Sequence, residues 1–371
     1  MEFTKKDTSI IKGIAILIML FHHCFLNKER WATVPFEQIA QQKHLEYFPI
    51  SFAPLSENIV VYFAAFSKIC VGMFVFLTGY GMAVSYAKKK MKKSEYSINT
   101  YVKERYIHLI TNFIFIFVVI QLLSIPTGRF SQVYGQGGHA WAYCLIDALG
   151  LAKLLKTPLF CLTWWYMSLA VMLIVIFPLA LYFVKKYHEI FLVIMLLMPR
   201  ALGLSMTDLT RYMLAYLLGI LFFERNLLVK CKMFLKEGGR CSKIVKFIFS
   251  LLILGIAIKC RQNARIGTPF YDVWDGIVPA YIIILCYSYI TDLRIINNIL
   301  NFLGKHSMNI FLIHSFYRDV FFHEFFYSFY YAWLDYIVLL IVSLGTSVLL
   351  ELLKQVMKHI INCCNVTNVL K

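Results

Sequence analysis

Lys12 and His23 stand at the two ends of one apolar stretch, Lys-Gly-Ile-Ala-Ile-Leu-Ile-Met-Leu-Phe-His-His over residues 12–23. On a helix, eleven positions bring two side chains to within about 20° of the same face and about 16 Å apart along the axis. With Lys12 at a membrane surface, His23 lies near the middle of a hydrocarbon layer about 30 Å thick. An ionisable group at that depth is costly and is by default a functional candidate. His22 points about 100° away from that face, so His23 is the stronger candidate. Two further polar groups fall at a similar depth. Thr78 sits ten residues before Lys88, about 15 Å from the basic end of its segment. His314 sits nine residues beyond Lys305, about 13–14 Å in. Each alone reads as a satisfied interior polar residue, whereas three at one level predict a polar cavity. Arg318, four after His314, extends that face. Arg105 and His108, three apart in Lys103-Glu-Arg-Tyr-Ile-His108, are neighbours at a helix start and can hold phosphates, although ordinary positive-inside charge explains them as well.

The elements that must carry these groups are membrane helices. The 371-residue chain is 60% hydrophobic, above the 45–50% usual for a soluble domain, and its apolar stretches recur along the whole length. The fold class expected is an all-α polytopic membrane protein of about ten transmembrane helices, near 11–27, 66–87, 107–125, 164–186, 189–206, 210–223, 247–259, 277–291, 306–322 and 333–353. Residues 10–26 lack a small-residue cleavage site and read as a first span, not a signal peptide. No appended soluble domain is expected, so residues 1–371 read as one membrane-embedded domain.

The net charge of +17 would suggest nucleic acid in a soluble protein; here it is read as loop charge, and no nucleic acid is expected. With the N-terminus inside, about 24 Lys and Arg fall on the cytoplasmic side and about 12 outside, which predicts cytoplasmic N- and C-termini. Lys68 then falls near the outer interface, where snorkelling accounts for it, and Trp164-Trp165-Tyr166 reads as an interfacial aromatic belt. Gly72 and Gly79 share a helix face and read as small-residue packing. Residues 28–58 and 126–162 form the longer outer segments, the second with an amphipathic piece near 141–156. The ten cysteines show no disulfide framework or zinc spacing, and Cys363-Cys364 reads as a lipid-proximal pair.

Four stretches resemble the integral-membrane acyltransferases of acyltransferase family 3. Lys12-Gly13 through His23 resembles that family's basic residue, ten residues and histidine. Gly72-Met-Phe-Val-Phe-Leu-Thr-Gly79-Tyr80 is similar to its Phe-Phe-x-Leu-Ser-Gly-Tyr/Phe stretch, and Leu162-Thr-Trp-Trp-Tyr-Met to its Leu-Trp-Phe/Tyr-Leu. Leu303-Gly-Lys-His-Ser through His314 resembles its Leu-Gly-x-x-Ser…Leu-x-His ending. The chain departs from the pattern with Lys12 in place of Arg, Thr78 in place of Ser, and His108 as the second member of an Arg-x-x-Arg pair; lysine and arginine are not equivalent where bidentate gripping matters.

The resemblance implies transfer of an acyl group, commonly acetyl, from acyl-CoA to a hydroxyl of an envelope or extracellular carbohydrate, by a multi-pass protein of a bacterial cytoplasmic membrane. Acetyl-CoA is then the donor, a carbohydrate or lipid-linked glycan the acceptor, and no metal is expected. Lys12, Arg105 and His108 would meet the donor's phosphates. His23 would be the general base on the acceptor hydroxyl or would activate an intermediate nucleophile, Thr78 would position it or line the path, and His314 would orient the acceptor or steady developing charge. The chain would complete the transfer itself or pass the acyl group to an extracytoplasmic partner. The competing class is a transporter or flippase, because intramembrane histidines also serve proton-coupled transport, or another envelope-polysaccharide assembly protein. Against a transporter stand the lack of an internal repeat and the few acidic residues within spans.

Overall fold

The computed structural model describes residues 3–25, 51–263 and 265–369. The outer segment read at 28–58 lies largely outside the described residues, and the side chains of Cys363 and Cys364 lie outside them altogether. The described chain is helical throughout, and its one strand-like contact is an isolated bridge between Ser51 and Tyr331. In order the helices are α1 (Lys5–Phe25), α2 (Glu57–Phe66), α3 (Ile69–Lys92), α4 (Ile98–Ser124), α5 (Arg129–Tyr134), α6 (Gly138–Ala148), α7 (Ala152–Leu155), α8 (Trp165–Ala201), α9 (Asp208–Glu224), α10 (Leu227–Lys236), α11 (Arg240–Arg261), α12 (Tyr271–Leu285), α13 (Arg294–Ser315), α14 (His323–Phe326) and α15 (Ala332–Val369). The protein is thus an all-α, multi-pass membrane protein.

Among the described residues seven helical segments are long and apolar enough to cross a membrane, and eight if α9 and α10, bent by 75°, count as one broken span. The count of ten expected from the sequence differs for two physical reasons. The segments read at 164–186 and 189–206 run together as α8, interrupted by a non-helical His188 at φ 50°. The segment read at 306–322 belongs to α13, whose polar side chains share one face, so it is amphipathic and not uniformly apolar.

Glycines decide how the helices that carry the chemistry meet. A Cβ on Gly13 of α1 would collide with the Leu300 carbonyl of α13, and one on Gly304 of α13 with the Ser9 carbonyl of α1. The two backbones therefore touch at two places, and Ser9 Oγ donates to the Asn301 carbonyl at 3.0 Å between them. Gly79 of α3 meets the Tyr216 carbonyl of α9, and Gly219 of α9 meets the Phe76 carbonyl of α3. Gly72 approaches the Asp275 carbonyl of α12. Small-residue packing is what these glycines do. Residues 129–155 fold as three short helices against α4 and α8. Asp147 staples this segment, accepting from the Tyr134 hydroxyl at 2.7 Å and the Phe160 N–H at 2.8 Å; burial pushes its carboxyl up to about 6.

Candidate active site

A cavity of about 950 Å³ lies among α1, α3, α4, α8, α9, α13 and α15. Five of the six residues singled out from the sequence line it: Lys12, His23, Thr78, Arg105 and His108. α1 supplies Lys12 and His23 to one wall, as their shared face requires. α4, opened by the Ser97 cap that accepts from the Thr100 N–H at 3.0 Å, brings Arg105 and His108 to the end of the cavity where Lys12 and Lys305 also lie. The opposite end is lined by Lys68 before α3, Asp208 and Arg211 in the first turn of α9, and Arg318, Asp319 and His323 beyond α13; Lys153 is also in the lining. His23 and Thr78 lie between the two ends, as the run of α1 and α3 sets them.

His314 is the sixth, and the structure puts it behind the wall. It is fully buried, and its ring centroid is 5.0 Å from that of His23. Its Nδ1 faces the carbonyls of Phe311 at 2.8 Å and Ile310 at 3.2 Å, so that nitrogen carries the proton. Nε2 is left to accept from Ser315 Oγ at 3.2 Å, and Ser315 Oγ accepts in turn from Thr163 Oγ1 at 3.0 Å. The arrangement holds the His314 ring rigidly against His23 and gives it no wall of the cavity. Sequence depth placed the two histidines at one level; it could not say which one faces the open space.

His23 is half-buried and lines the cavity, so its imidazole can take and return a proton there. His22 also reaches the cavity wall, but its Nδ1 is tied to the Ala64 carbonyl of α2 at 2.8 Å. Thr78 Oγ1 donates to the Phe74 carbonyl at 2.8 Å. Arg318 is buried beside His23, donating to the His23 carbonyl and to Asp319.

Two readings of the aromatic and basic residues change. Trp164 is no interfacial anchor: it is fully buried, and its indole N–H donates to the Leu312 carbonyl of α13 at 3.0 Å. Trp165 and Tyr166 line the cavity, and so does Lys68, so its side chain faces the cavity as well. The stretch Leu162–Met167 therefore ties α8 to the histidine-bearing helix. Sequence reasoning also missed Asp208 and Arg211 at the start of α9, where Thr207 and Thr210 cap each other, and Glu351 of α15. Glu351 Oε1 accepts from Asn309 Nδ2 at 2.8 Å and from Lys354 Nζ at 2.7 Å, and Lys354 reaches Asn112, joining α13, α15 and α4. Each is a charge in or at the margin of an apolar span, and treating every such charge as a candidate would have found them.

A family model described as an acyltransferase domain, that of acyltransferase family 3, matches residues 8–352. Comparisons with curated proteins and with solved structures give no match. The matched region contains all four motif stretches and every cavity residue named above. The chain belongs to acyltransferase family 3 and is an integral-membrane acyltransferase.

Proposed function

We propose that the protein moves an acyl group, acetyl in the first instance, from acyl-CoA to a hydroxyl of an envelope or extracellular carbohydrate. One observation carries the reading: a single cavity connects the cations Lys12, Arg105 and Lys305 with His23 and continues to the far ends of α1 and α3. With both termini in the cytoplasm, the cationic end faces the compartment where acyl-CoA is made. Guanidinium and ammonium groups there suit the donor's phosphates. The pantetheine arm brings the thioester along the cavity to His23, and the acceptor hydroxyl approaches from the opposite end. His23 takes the hydroxyl proton, the freed oxygen attacks the thioester carbonyl, the carbon–sulfur bond breaks, and the CoA thiolate leaves with the proton returned by the imidazolium. The products are the acyl ester and free CoA. His314, locked by its own helix, acts by positioning His23. The seat of the protein would be a bacterial cytoplasmic membrane.

Mass spectrometry of envelope glycans from cells with and without the protein tests the function. Loss of an acyl increment is the expected result, and unchanged glycans overturn it. The donor end has its own test. Arg105→Gln should raise KM for acyl-CoA by about tenfold, the worth of one charge-assisted contact, while kcat changes little. An unchanged KM removes Arg105 from the donor site.

A further inference from the structure

The guanidinium groups at the end of the cavity away from Lys12 are held by the protein's own carboxylates. Arg211 donates to Asp275 at 2.7 Å, and Arg318 pairs with Asp319. What this part of the lining offers a ligand besides charge is an aromatic wall. Trp165 and Tyr166 open α8, Tyr212 lies in the second turn of α9, and all three line the cavity. The Trp165 and Tyr212 rings are stacked, 6.3 Å between centroids and 24° between planes, which draws the starts of α8 and α9 together. Tyr212 is fully buried, whereas Trp165 is only half-buried. Tyr166 continues the wall toward the reacting centre. Its ring is 5.5 Å from that of Phe311, which is 6.3 Å from His314, the neighbour of His23. Asp208, four residues before Tyr212 and so one turn away on α9, adds a carboxylate to the same lining. Thr207 and Thr210 cap the helix between themselves, and Asp275 holds Arg211, so neither duty falls to Asp208.

A half-buried indole in a cavity wall, with a carboxylate beside it, suits one kind of ligand. The C–H bonds on the face of a pyranose ring carry partial positive charge and lie flat on the negative face of an aromatic ring. Hydroxyls round the edge of the sugar donate to a carboxylate, and a site that hydrogen-bonds a hydroxyl rejects a sugar that lacks it. The donor's adenine, the other flat group in the reaction, stays with its phosphates at the Lys12 end in the acyl-transfer reading. Resting on that reading, we propose that Trp165 is the platform for the acceptor. The pyranose ring that receives the acyl group stacks on the indole, Tyr166 bounds it on the side of Phe311, and Asp208 accepts from its hydroxyls, which turns the reacting hydroxyl to His23. Acceptor choice is then set at the starts of α8 and α9 by the stereochemistry of one ring, and a sugar with an axial hydroxyl on the stacked face is excluded.

The test uses full-length protein in nanodiscs, acetyl-CoA as donor and, as acceptor probe, the envelope glycan extracted from cells that lack the protein. Trp165→Leu, which keeps apolar bulk and removes the aromatic face, should raise KM for the glycan by about tenfold, and Trp165→Phe by no more than about threefold. Asp208→Asn should raise it by roughly three- to tenfold. KM for acetyl-CoA should stay within about twofold of wild type in all three variants. An unchanged glycan KM in Trp165→Leu or in Asp208→Asn overturns the proposal, so a leucine variant that fails to insert leaves Asp208→Asn to decide. Equal losses in Trp165→Leu and Trp165→Phe, or a raised KM for acetyl-CoA in place of the glycan, overturn it too. Failure of the acyl-transfer reading is a separate result, in which the wild-type protein transfers no acyl group from acetyl-CoA to that glycan.

Discussion

His23→Ala should abolish acyl transfer, with kcat falling by about a hundredfold to ten-thousandfold, the usual worth of a positioned acid–base group. KM for acyl-CoA should stay close to wild type, because the proposed donor site is at the Lys12 end, eleven residues down the same helix. Among the described residues, alanine at this half-buried position removes no side-chain hydrogen bond to the backbone of another helix. That separates His23 from His22, whose Nδ1 bonds the Ala64 carbonyl. His22→Ala should therefore cost more in stability, by about 1–3 kcal/mol for an orphaned buried carbonyl, and less in kcat. The measurements are single-turnover acyl transfer and thermal stability of both variants in detergent or nanodiscs. Full activity in properly inserted His23→Ala protein would remove the base assignment. His314→Ala provides the contrast: its ring touches His23 and lines no cavity wall, so the expected effect is a lowered kcat with donor and acceptor KM both near wild type.

Gly304→Val and Gly13→Val should be the most damaging changes outside the chemistry. At each position the backbone of the partner helix already occupies the space of a Cβ, and a carbonyl cannot turn aside as a flexible side chain can. Overpacking of this kind costs about 1–3 kcal/mol or more. The cost falls on the α1–α13 contact that presses His23 against His314, so activity should drop by far more than folded yield does. Gly345→Ala in α15 is the control: nothing lies near its Cβ position, and both stability and activity should hold. Equal loss in all three variants would show that the α1–α13 approach has no special weight. Stability is read by thermal denaturation of the purified membrane protein and activity by the acyl-transfer assay.

Much of this site is legible before folding because depth and facing follow from helix geometry. Lys12 and His23 are bound to share a face of α1, and His314 is bound to come level with His23 if α1 and α13 run alongside each other. The glycine motifs could be read as packing for the same reason: a residue without a side chain inside an apolar span marks a close approach. Facing is relative, however, and a helix has no inside until it has neighbours. His314 and Trp164 illustrate this. Sequence spacing assigns them a level in the membrane, but only the meeting of α8 with α13 turns Trp164 inward to the Leu312 carbonyl and seats His314 behind His23.

The chain's membrane class, its family and the axial positions of its reactive groups are therefore properties of its order of residues, since hydropathy, motif spacing and helical rise are all local. Which side chains share one cavity is decided by tertiary contacts between residues far apart in the chain, Ser9 with Gly304 and Thr163 with Ser315 among them. The same contacts turned Lys68 from an apparent interfacial anchor into a cavity wall and added Arg211 and Glu351 to it. Cavity membership depends on rotation and separation between helices, and no periodicity within a single helix encodes either.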